Sequence, residues 1–161
     1  MSLVGEEHQE TDMALTELMG TDLGTQTIVV EQGPVRAFAS AVDDDPDRYT
    51  GDAAATPPTW PFSMAYWGLM GAKPPAGLPL DKLRGPGRMI LHGEQEFEYH
   101  RAPRIGETLT GTGRISDVYE KDSGSATMEF YVREMAWRDA TDQPVVTERF
   151  TMIVRVKKDA S

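Results

Sequence analysis

The chain has 161 residues, of which 39% are hydrophobic, and this size and composition suit one globular domain with a core of its own. Its formal net charge of -10 argues against nucleic acid as a partner, because a phosphate-rich polymer binds surfaces rich in Lys and Arg. The sequence contains no cysteine, which excludes disulfides, thiolate metal sites and thiol nucleophiles.

The first 20 residues are polar and acidic, and they lack the basic and apolar regions of a secretion signal. We therefore expect residues 1–20 to form a flexible tail and residues 21–161 to form a single domain. We also expect a cytoplasmic protein that does not associate with membranes.

Ahead of the most apolar part of the chain, two short elements are expected. The β-branched run in Thr25 to Glu31 predicts a strand. From Pro34 to Val42, apolar residues recur at helical spacing, so a short helix follows. An acidic loop from Asp43 to Ala55 then leads into the central segment, because Pro46 and small residues interrupt any regular pattern there.

The central segment is Thr56 to Gly71, TPPTWPFSMAYWGLMG. Pro61 fits the first turn of a helix, where a missing N–H costs little, and Gly71 is a natural stop. Apolar side chains surround the axis between these residues, so a helix beginning near Thr59 or Trp60 must be buried. It spans about three turns, which is too short to cross a bilayer.

After an irregular, Pro- and Gly-rich crossing segment from Lys73 to Arg88, the chain reads as four long strands with short connections. Alternation in the first of them indicates two faces, one mostly apolar and one polar. We expect the apolar face to carry Leu91, Gln95, Phe97 and Tyr99, and the polar face to carry His92, Glu94, Glu96, Glu98 and His100. The pattern predicts an α+β architecture, an antiparallel sheet wrapped around one long buried helix.

Three strings of this sequence, VRAFASAVDDDPDRYTGD, PPTWPFSMAYWG and LHGEQEFEYHRAPRIGETL, occur in an order that resembles a known family. They are similar to the hot-dog fold of the MaoC-like dehydratases and hydratases. More narrowly, they resemble the N-terminal, usually non-catalytic half of that family, a dehydratase domain of fatty-acid-synthase type. The resemblance covers roughly Thr25 to Val156.

The resemblance implies acyl thioesters as substrates, carried by coenzyme A or an acyl carrier protein, and reversible addition of water to a 2-enoyl group. Active members carry an Asp and a His in a D-x-N-P-x-H loop. Alignment on Pro46 places Asp43 at the Asp position, Asp45 at the Asn position and Arg48 at the His position. Arginine stays protonated at neutral pH and is not a ready general base.

Four residues are weak candidates for catalysis. Asp43, Asp45 and Tyr49 lie in or beside the aligned loop, and His92 lies on the first long strand. Tyrosine titrates near 10, so Tyr49 is a poor base, and a strand histidine is more often structural. The His and Glu residues of that strand stand too far apart along it to converge on one metal ion, so no metal is expected.

Substrate binding is predicted at the start of the central helix. Backbone N–H groups near Thr59 and Trp60, after Pro58, are expected to be unpaired, and such a helix end can stabilise a thioester carbonyl as it becomes an enolate. Trp60 and Trp67 are expected either to line an acyl tunnel or simply to fill the space inside the sheet.

Two classes of function follow. In the first, the chain binds acyl thioester and acts with a catalytic MaoC-like subunit in a heterodimer. In the second, it is a self-sufficient homodimeric or larger hydratase or dehydratase with an atypical site. A thioesterase is a weaker variant, because TWPFSMAYWG offers no carboxylate or Asn on the helix. No cofactor is expected beyond the carrier of the substrate.

Overall fold

The structure is a computed structural model that describes residues 17–67 and 83–158, with the side chains of residues 65–67 outside the description. The helices are α1 (Gln32–Ala41) and α2 (Pro61–Trp67), with a 3-10 turn at Pro46–Arg48 between them. The strands are β1 (Asp22–Val29), β2 (Arg88–Tyr99), β3 (Thr108–Asp122), β4 (Ala126–Arg138) and β5 (Pro144–Lys157).

The five strands form one sheet in the order β1-β3-β4-β5-β2, and all neighbouring strands are antiparallel. Strands β3, β4 and β5 follow one another through tight turns, as the turn residues of the sequence predict. The predicted antiparallel sheet is therefore confirmed. Strands β1 and β2 lie at its two edges.

Both helices pack against one side of the sheet, which we call the inner face. It carries Leu109, Trp137 and Val146, and these side chains form a core with Trp60 and Met64. The amide of Gln26, on β1, donates a hydrogen bond of 3.2 Å to the carbonyl of Met64 and so joins the sheet edge to α2. The inner-face contact is the reason that the apolar side chains of α2 are buried.

A β-bulge in β2 corrects the predicted faces of that strand. The pairing with β5 shifts between His92 and Glu94, so Gly93 is an extra residue. His92 pairs with Met152 and lies on the inner face, together with Gln95, whereas Leu91 lies on the outer face. The prediction that His92 shares a face with the glutamates, and Leu91 with the apolar residues, was wrong because strict alternation holds only where no residue is inserted.

The central helix is described over part of its predicted length. It begins at Pro61, one or two residues after the predicted start, and it is followed to Trp67. The predicted end at Gly71 and most of the predicted crossing segment lie outside the described residues. Among the helices of residues 17–67 and 83–158, none has the length and apolar character that crossing a membrane requires.

Candidate functional site

The loop that aligns with the catalytic motif of the resemblance is built from short-range hydrogen bonds. Asp45 caps the 3-10 turn, since the N–H of Asp47 donates to its Oδ1 at 2.9 Å. Asp43 is exposed and has a φ of 60°, a left-handed conformation that Asp tolerates in turns. The two predicted candidates therefore lie in a loop whose side-chain bonds shape a turn.

Asp44, which was not among the predicted candidates, is the centre of this loop. Its Oδ2 accepts a hydrogen bond of 2.5 Å from the Tyr49 hydroxyl, and its Oδ1 accepts one of 3.0 Å from Arg48. The Tyr49 bond, with help from the N–H of Asp45 and from Arg48, holds the pKa of Asp44 below its ordinary value. The same bond raises the pKa of Tyr49.

These bonds limit what the loop can do chemically. Tyr49 keeps its proton at neutral pH and directs it at Asp44. Arg48 is a cation at the position that holds the histidine of the D-x-N-P-x-H loop in the family that the sequence resembles. Asp44 is ionised but already accepts from both neighbours. The Asp44 carboxylate is thus already bonded to the Arg48 guanidinium and the Tyr49 hydroxyl, and this makes it a poor base for removing a proton from water.

The entry to α2 is the predicted substrate-binding region. The N–H of Trp60 donates to the carbonyl of Pro57 at 3.0 Å, and the N–H of Phe62 donates to the carbonyl of Thr59 at 3.2 Å. Ser63 donates to the carbonyl of Trp60 from both its N–H and its hydroxyl. The N–H of Trp60 is therefore already paired, contrary to expectation.

The other predicted binding residues are Pro58, beside the edge strand, Trp60, in the core, and Trp67, whose side chain is not among those described. The hydroxyl of Tyr99, near the end of β2, donates to the carbonyl of Pro58. The ring of Trp60 is 1% exposed and belongs to the core, with its Nε1 buried and without a partner in the described structure. The side chain of Trp67 lies outside the described residues.

His92 occupies an aromatic setting on the inner face. Its ring lies 4.6 Å from the ring of Phe150, edge to face, and 5.9 Å from the ring of Phe62 on α2. The side chain is exposed. The bulge thus brings a titratable ring next to α2, where the sequence alone placed it on the opposite face.

The sequence-based reasoning missed a group that we call the inner-face polar cluster, which consists of Gln95, Arg133 and Glu148. Glu148 is 0% exposed, and its Oε1 accepts hydrogen bonds from Arg133 at 2.8 Å and from Gln95 at 3.1 Å. The Arg133 guanidinium also lies 5.6 Å from the centre of the Phe150 ring. A buried carboxylate with an arginine and an amide is stable only as a group.

The cluster alters the titration of its members and neighbours. Burial raises the pKa of Glu148, although the charge of Arg133 and interactions with the side chains of Gln95, Arg133 and Trp137 oppose that shift. Burial, and then the charge of Glu148, raises the pKa of Tyr99 to about 12. One signal could have found the cluster: Glu148 interrupts the inward-facing series Val146, Phe150, Met152 and Val154.

A second buried carboxylate, Glu129, lies farther along the inner face. Its Oε2 accepts from the Tyr131 hydroxyl at 2.7 Å and from the guanidinium of Arg88. The Nε of Arg88 donates to the carbonyl of Leu83 at 2.9 Å, so the same arginine connects the start of β2 to the segment that precedes it. This arrangement anchors the chain where it enters the sheet.

Two of the three glutamates on the outer face of β2 form ion pairs with an arginine. Arg149 binds Glu96 and Glu98 at 3.0 Å each and Glu134 at 2.9 Å. These residues form a surface ion-pair network rather than a convergent ligand set. In the part of the chain that the structure describes, no three His, Asp or Glu side chains are grouped as a metal site requires.

Comparison with known proteins places this geometry in a family. The family model for the FAS1-like dehydratase domain region matches residues 17–148. A UPF0336 protein of Leifsonia xyli is 32% identical over 142 residues, which covers 81% of this chain and 88% of the relative.

Two solved structures share the fold. The ChsH1-ChsH2 complex from Mycobacterium tuberculosis has a TM-score of 0.68 at 18% identity, over 95% of this chain and 94% of that one. The HadBC (3R-hydroxyacyl-ACP dehydratase) complex from the same species has a TM-score of 0.63 at 19% identity, over 84% of this chain and 96% of that one. Both likenesses identify the hot-dog fold, and the family match covers most of the chain. The chain therefore belongs to the family of FAS1-like dehydratase domain regions.

Proposed function

We propose that this chain is the acyl-thioester-binding subunit of a MaoC-like (R)-specific enoyl hydratase or 3-hydroxyacyl dehydratase, and that a partner subunit supplies the catalytic residues. The observation that carries the proposal is the closed arrangement of Asp44, Arg48 and Tyr49. Water addition to an enoyl group needs a base that accepts a proton near neutral pH. In this loop the Asp44 carboxylate already accepts hydrogen bonds from Arg48 and Tyr49. Arg48 occupies the position at which the D-x-N-P-x-H motif has histidine.

Two further observations support a partner. The structural neighbours HadBC and ChsH1-ChsH2 are each named as complexes of two proteins. In this chain, β2 is a 12-residue edge strand with exposed large apolar side chains, Met89 at 54% and Leu91 at 38%. A long edge strand of this kind is suited to pairing with another sheet. We assign the partner to the β2 edge.

The thioester is proposed to bind at the turn that begins α2, with Pro58, Thr59 and Trp60 as binding residues there and Trp67, the last residue of the helix as described, as a further one. Tyr99 supports this position, since its bond to Pro58 joins the turn to the edge strand. A substrate bound there would lie beside both α2 and the partner, so each subunit would contribute to one site.

The decisive experiment is a hydration assay with crotonyl-CoA and longer 2-enoyl-CoAs. The purified chain is tested alone and after co-expression with a catalytic MaoC-like subunit, and that subunit is also tested alone. We expect the chain alone to be inactive, and the complex to hydrate longer substrates faster than the catalytic subunit does by itself. Turnover by the chain alone would refute the non-catalytic role.

The position of the partner is tested by a pair of substitutions on opposite edges of the sheet. Leu91→Asp introduces a charge on β2, and Val29→Asp introduces the same charge at an exposed apolar position on β1. We expect Leu91→Asp to abolish complex formation in size-exclusion chromatography and Val29→Asp to preserve it. The opposite result would place the partner on β1.

One observation favours a second candidate function, a self-sufficient hydratase. His92 is exposed on the inner face beside Phe62 and Phe150, and histidine is a suitable base at neutral pH. If the chain alone is active, His92→Asn should reduce its kcat by at least about 100-fold. His100→Asn, at the other exposed histidine of this region, serves as the control and should leave kcat unchanged.

A further inference from the structure

We propose that the inner-face polar cluster of Gln95, Arg133 and Glu148 binds a hydroxyl group on the acyl chain, so that the substrate class is acyl thioesters hydroxylated well beyond C3. This inference rests on the proposed function, which places the thioester beside Pro58. It adds a specificity-determining site to that function. It is carried by the unmatched hydrogen-bonding atoms of the cluster and by the exposure of its surroundings.

The bonding capacity of the cluster is not used up by its internal bonds. Oε1 of Gln95 and Nε of Arg133 are buried and without a hydrogen-bond partner in the described structure, as is Oε2 of Glu148 apart from an interaction of this carboxylate with the side chain of Trp137, whose Nε1 is also unmatched. Buried polar groups in proteins are nearly always paired, because an unpaired one forfeits its bonds to water. Three such atoms in one connected cluster therefore indicate a place for a polar group from outside.

The chemistry of the three atoms selects a hydroxyl. Two of them, on Glu148 and Gln95, are acceptors when Glu148 is ionised, and the third, on Arg133, is a donor. A hydroxyl both donates and accepts, so it can pair with the donor and with an acceptor. A ketone only accepts and would leave both acceptors unmatched. An anionic group would meet the Glu148 carboxylate and is disfavoured.

The exposure of the neighbouring residues indicates the side from which a ligand enters. Glu148 and Arg133 lie on the two interior strands β5 and β4, whereas Gln95, on β2, is half-buried. His92, next along the inner face of β2, is exposed, and Phe150 lies between it and Arg133. An acyl chain that enters along β2 would follow aromatic surface before it meets the cluster.

The position of the cluster along the sheet sets how far the hydroxyl lies from the thioester. Tyr99 contacts Pro58, and Gln95 lies four residues earlier on the same strand and the same face. Four residues of strand span about 13 Å, and Glu148, which pairs with Phe97, lies about half that distance from Tyr99 along the strand. The hydroxyl formed or removed at C3 by hydration or dehydration would stay near the thioester, so the cluster contacts a different oxygen.

Binding measurements with matched ligands test the inference. Isothermal titration calorimetry of the full chain, alone and in its complex, compares acyl-CoAs of increasing length with the same acyl-CoAs carrying a hydroxyl or a ketone next to the chain end. At one chain length we expect the hydroxyl to lower Kd roughly tenfold relative to the plain chain, which is the effect of one well-placed hydrogen bond. We expect no such gain from the ketone.

Variants assign the effect to the cluster. Gln95→Leu removes one of the unmatched acceptors while leaving the ion pair of Arg133 and Glu148, and it should abolish the tenfold difference in Kd between hydroxylated and plain acyl-CoAs. Arg133→Lys keeps a positive charge beside Glu148 but lacks the Nε donor, and the same loss is expected. Gln143→Leu, in the exposed β4–β5 turn, is the matched control and should retain the preference.

The outcomes separate this inference from the function on which it rests. If plain and hydroxylated acyl-CoAs bind equally at every length, or if Gln95→Leu keeps the preference, the cluster is a structural or solvated group and the inference is wrong. The proposed function survives that result, because acyl-CoA binding persists. If no acyl-CoA binds to the chain or to its complex, the proposed function fails, and the hydroxyl subsite fails with it.

Discussion

The Tyr49 hydroxyl donates a hydrogen bond of 2.5 Å to Oδ2 of Asp44, five residues earlier in the chain. Because Arg48 binds the other oxygen of the same carboxylate, the loop after α1 is closed on itself. The ring of Tyr49 packs in the core with Trp60 and Met64. The bond therefore fastens an acidic loop to the helix that begins the proposed binding site.

Tyr49→Phe should loosen this loop. The substitution removes the hydrogen bond that contributes most to the low pKa of Asp44, so that pKa should rise toward 3.8. A carboxyl group with a lowered pKa stabilises the fold above its ordinary pKa, and this contribution is lost as pH falls through the folded value. We expect a Tm lower by a few degrees at neutral pH.

NMR titration of the side-chain carboxyl carbon would measure the pKa of Asp44, and calorimetry would measure Tm. Tyr119→Phe is the control, since that ring stacks on Phe130 on the outer face at 4.6 Å. An unchanged pKa of Asp44 in Tyr49→Phe would show that the bond does not form in solution.

Arg88→Met should be one of the most destabilising substitutions in the chain. It leaves the carboxylate of Glu129, which is buried, with the Tyr131 hydroxyl but without its charge partner. Breaking a buried ion pair from one side costs about 3 kcal/mol or more. Chemical denaturation should show this loss of free energy of unfolding, whereas Arg84→Met, at an exposed position, should change it by less than about 0.5 kcal/mol.

Two glycines should respond to the same substitution with opposite signs. A Cβ on Gly111 would lie 2.7 Å from the ring of Trp137, which is buried, so Gly111→Ala should destabilise the fold by about 1–3 kcal/mol. A Cβ on Gly33, in α1, would meet nothing within 4 Å, and alanine favours helix. Gly33→Ala should therefore stabilise by about 0.5–1 kcal/mol. Equal effects in denaturation would contradict the close packing at Trp137.

Asp139 should control stability in acid. Bonds from Thr141, Gln143 and Arg101 hold the pKa of Asp139 far below its ordinary value of 3.8. A group of this kind adds stability above its ordinary pKa, and the contribution disappears as pH falls through the folded pKa. Asp139→Asn should therefore lower Tm at neutral pH, and the difference from the unmodified chain should shrink below pH 3.8.

Measurement of Tm across this pH range would test the expectation for Asp139. Asp142→Asn, in the same turn, changes an exposed carboxylate that lies 3.8 Å from Arg138 and should have little effect at any pH. A constant difference between Asp139→Asn and the unmodified chain at all pH values would show that Asp139 acts without its charge.

The strands and α1 could be predicted because their signals are local. Turn residues and alternation indicated four long strands after the crossing segment, and the structure has β2 to β5 there. The apolar spacing after Pro34 indicated the helix that the structure has at Gln32–Ala41. The strand expected at Thr25 to Glu31 starts earlier, at Asp22. The ends of elements depend on pairing with β3, which local sequence does not contain.

The candidate site was less predictable, because its residues come from different strands. The bulge at Gly93 moves His92 to the inner face, and a bulge is defined by the partner strand. Gln95 and Glu148 are 53 positions apart, yet they share a hydrogen bond. Single-sequence patterns indicate where a charged residue interrupts an apolar series, but they do not reveal which residue compensates it.

The sequence by itself determined the absence of cysteine chemistry, the antiparallel strand pattern and the arginine at the histidine position of the aligned loop. These properties are read residue by residue or from neighbours along the chain. Tertiary structure alone decided that Tyr49 and Arg48 both bind Asp44, that His92 faces inward, and that Glu148 is buried with Arg133. Burial and hydrogen bonding are properties of residues brought together in space, and the energy of a buried charge depends on the partners it finds there.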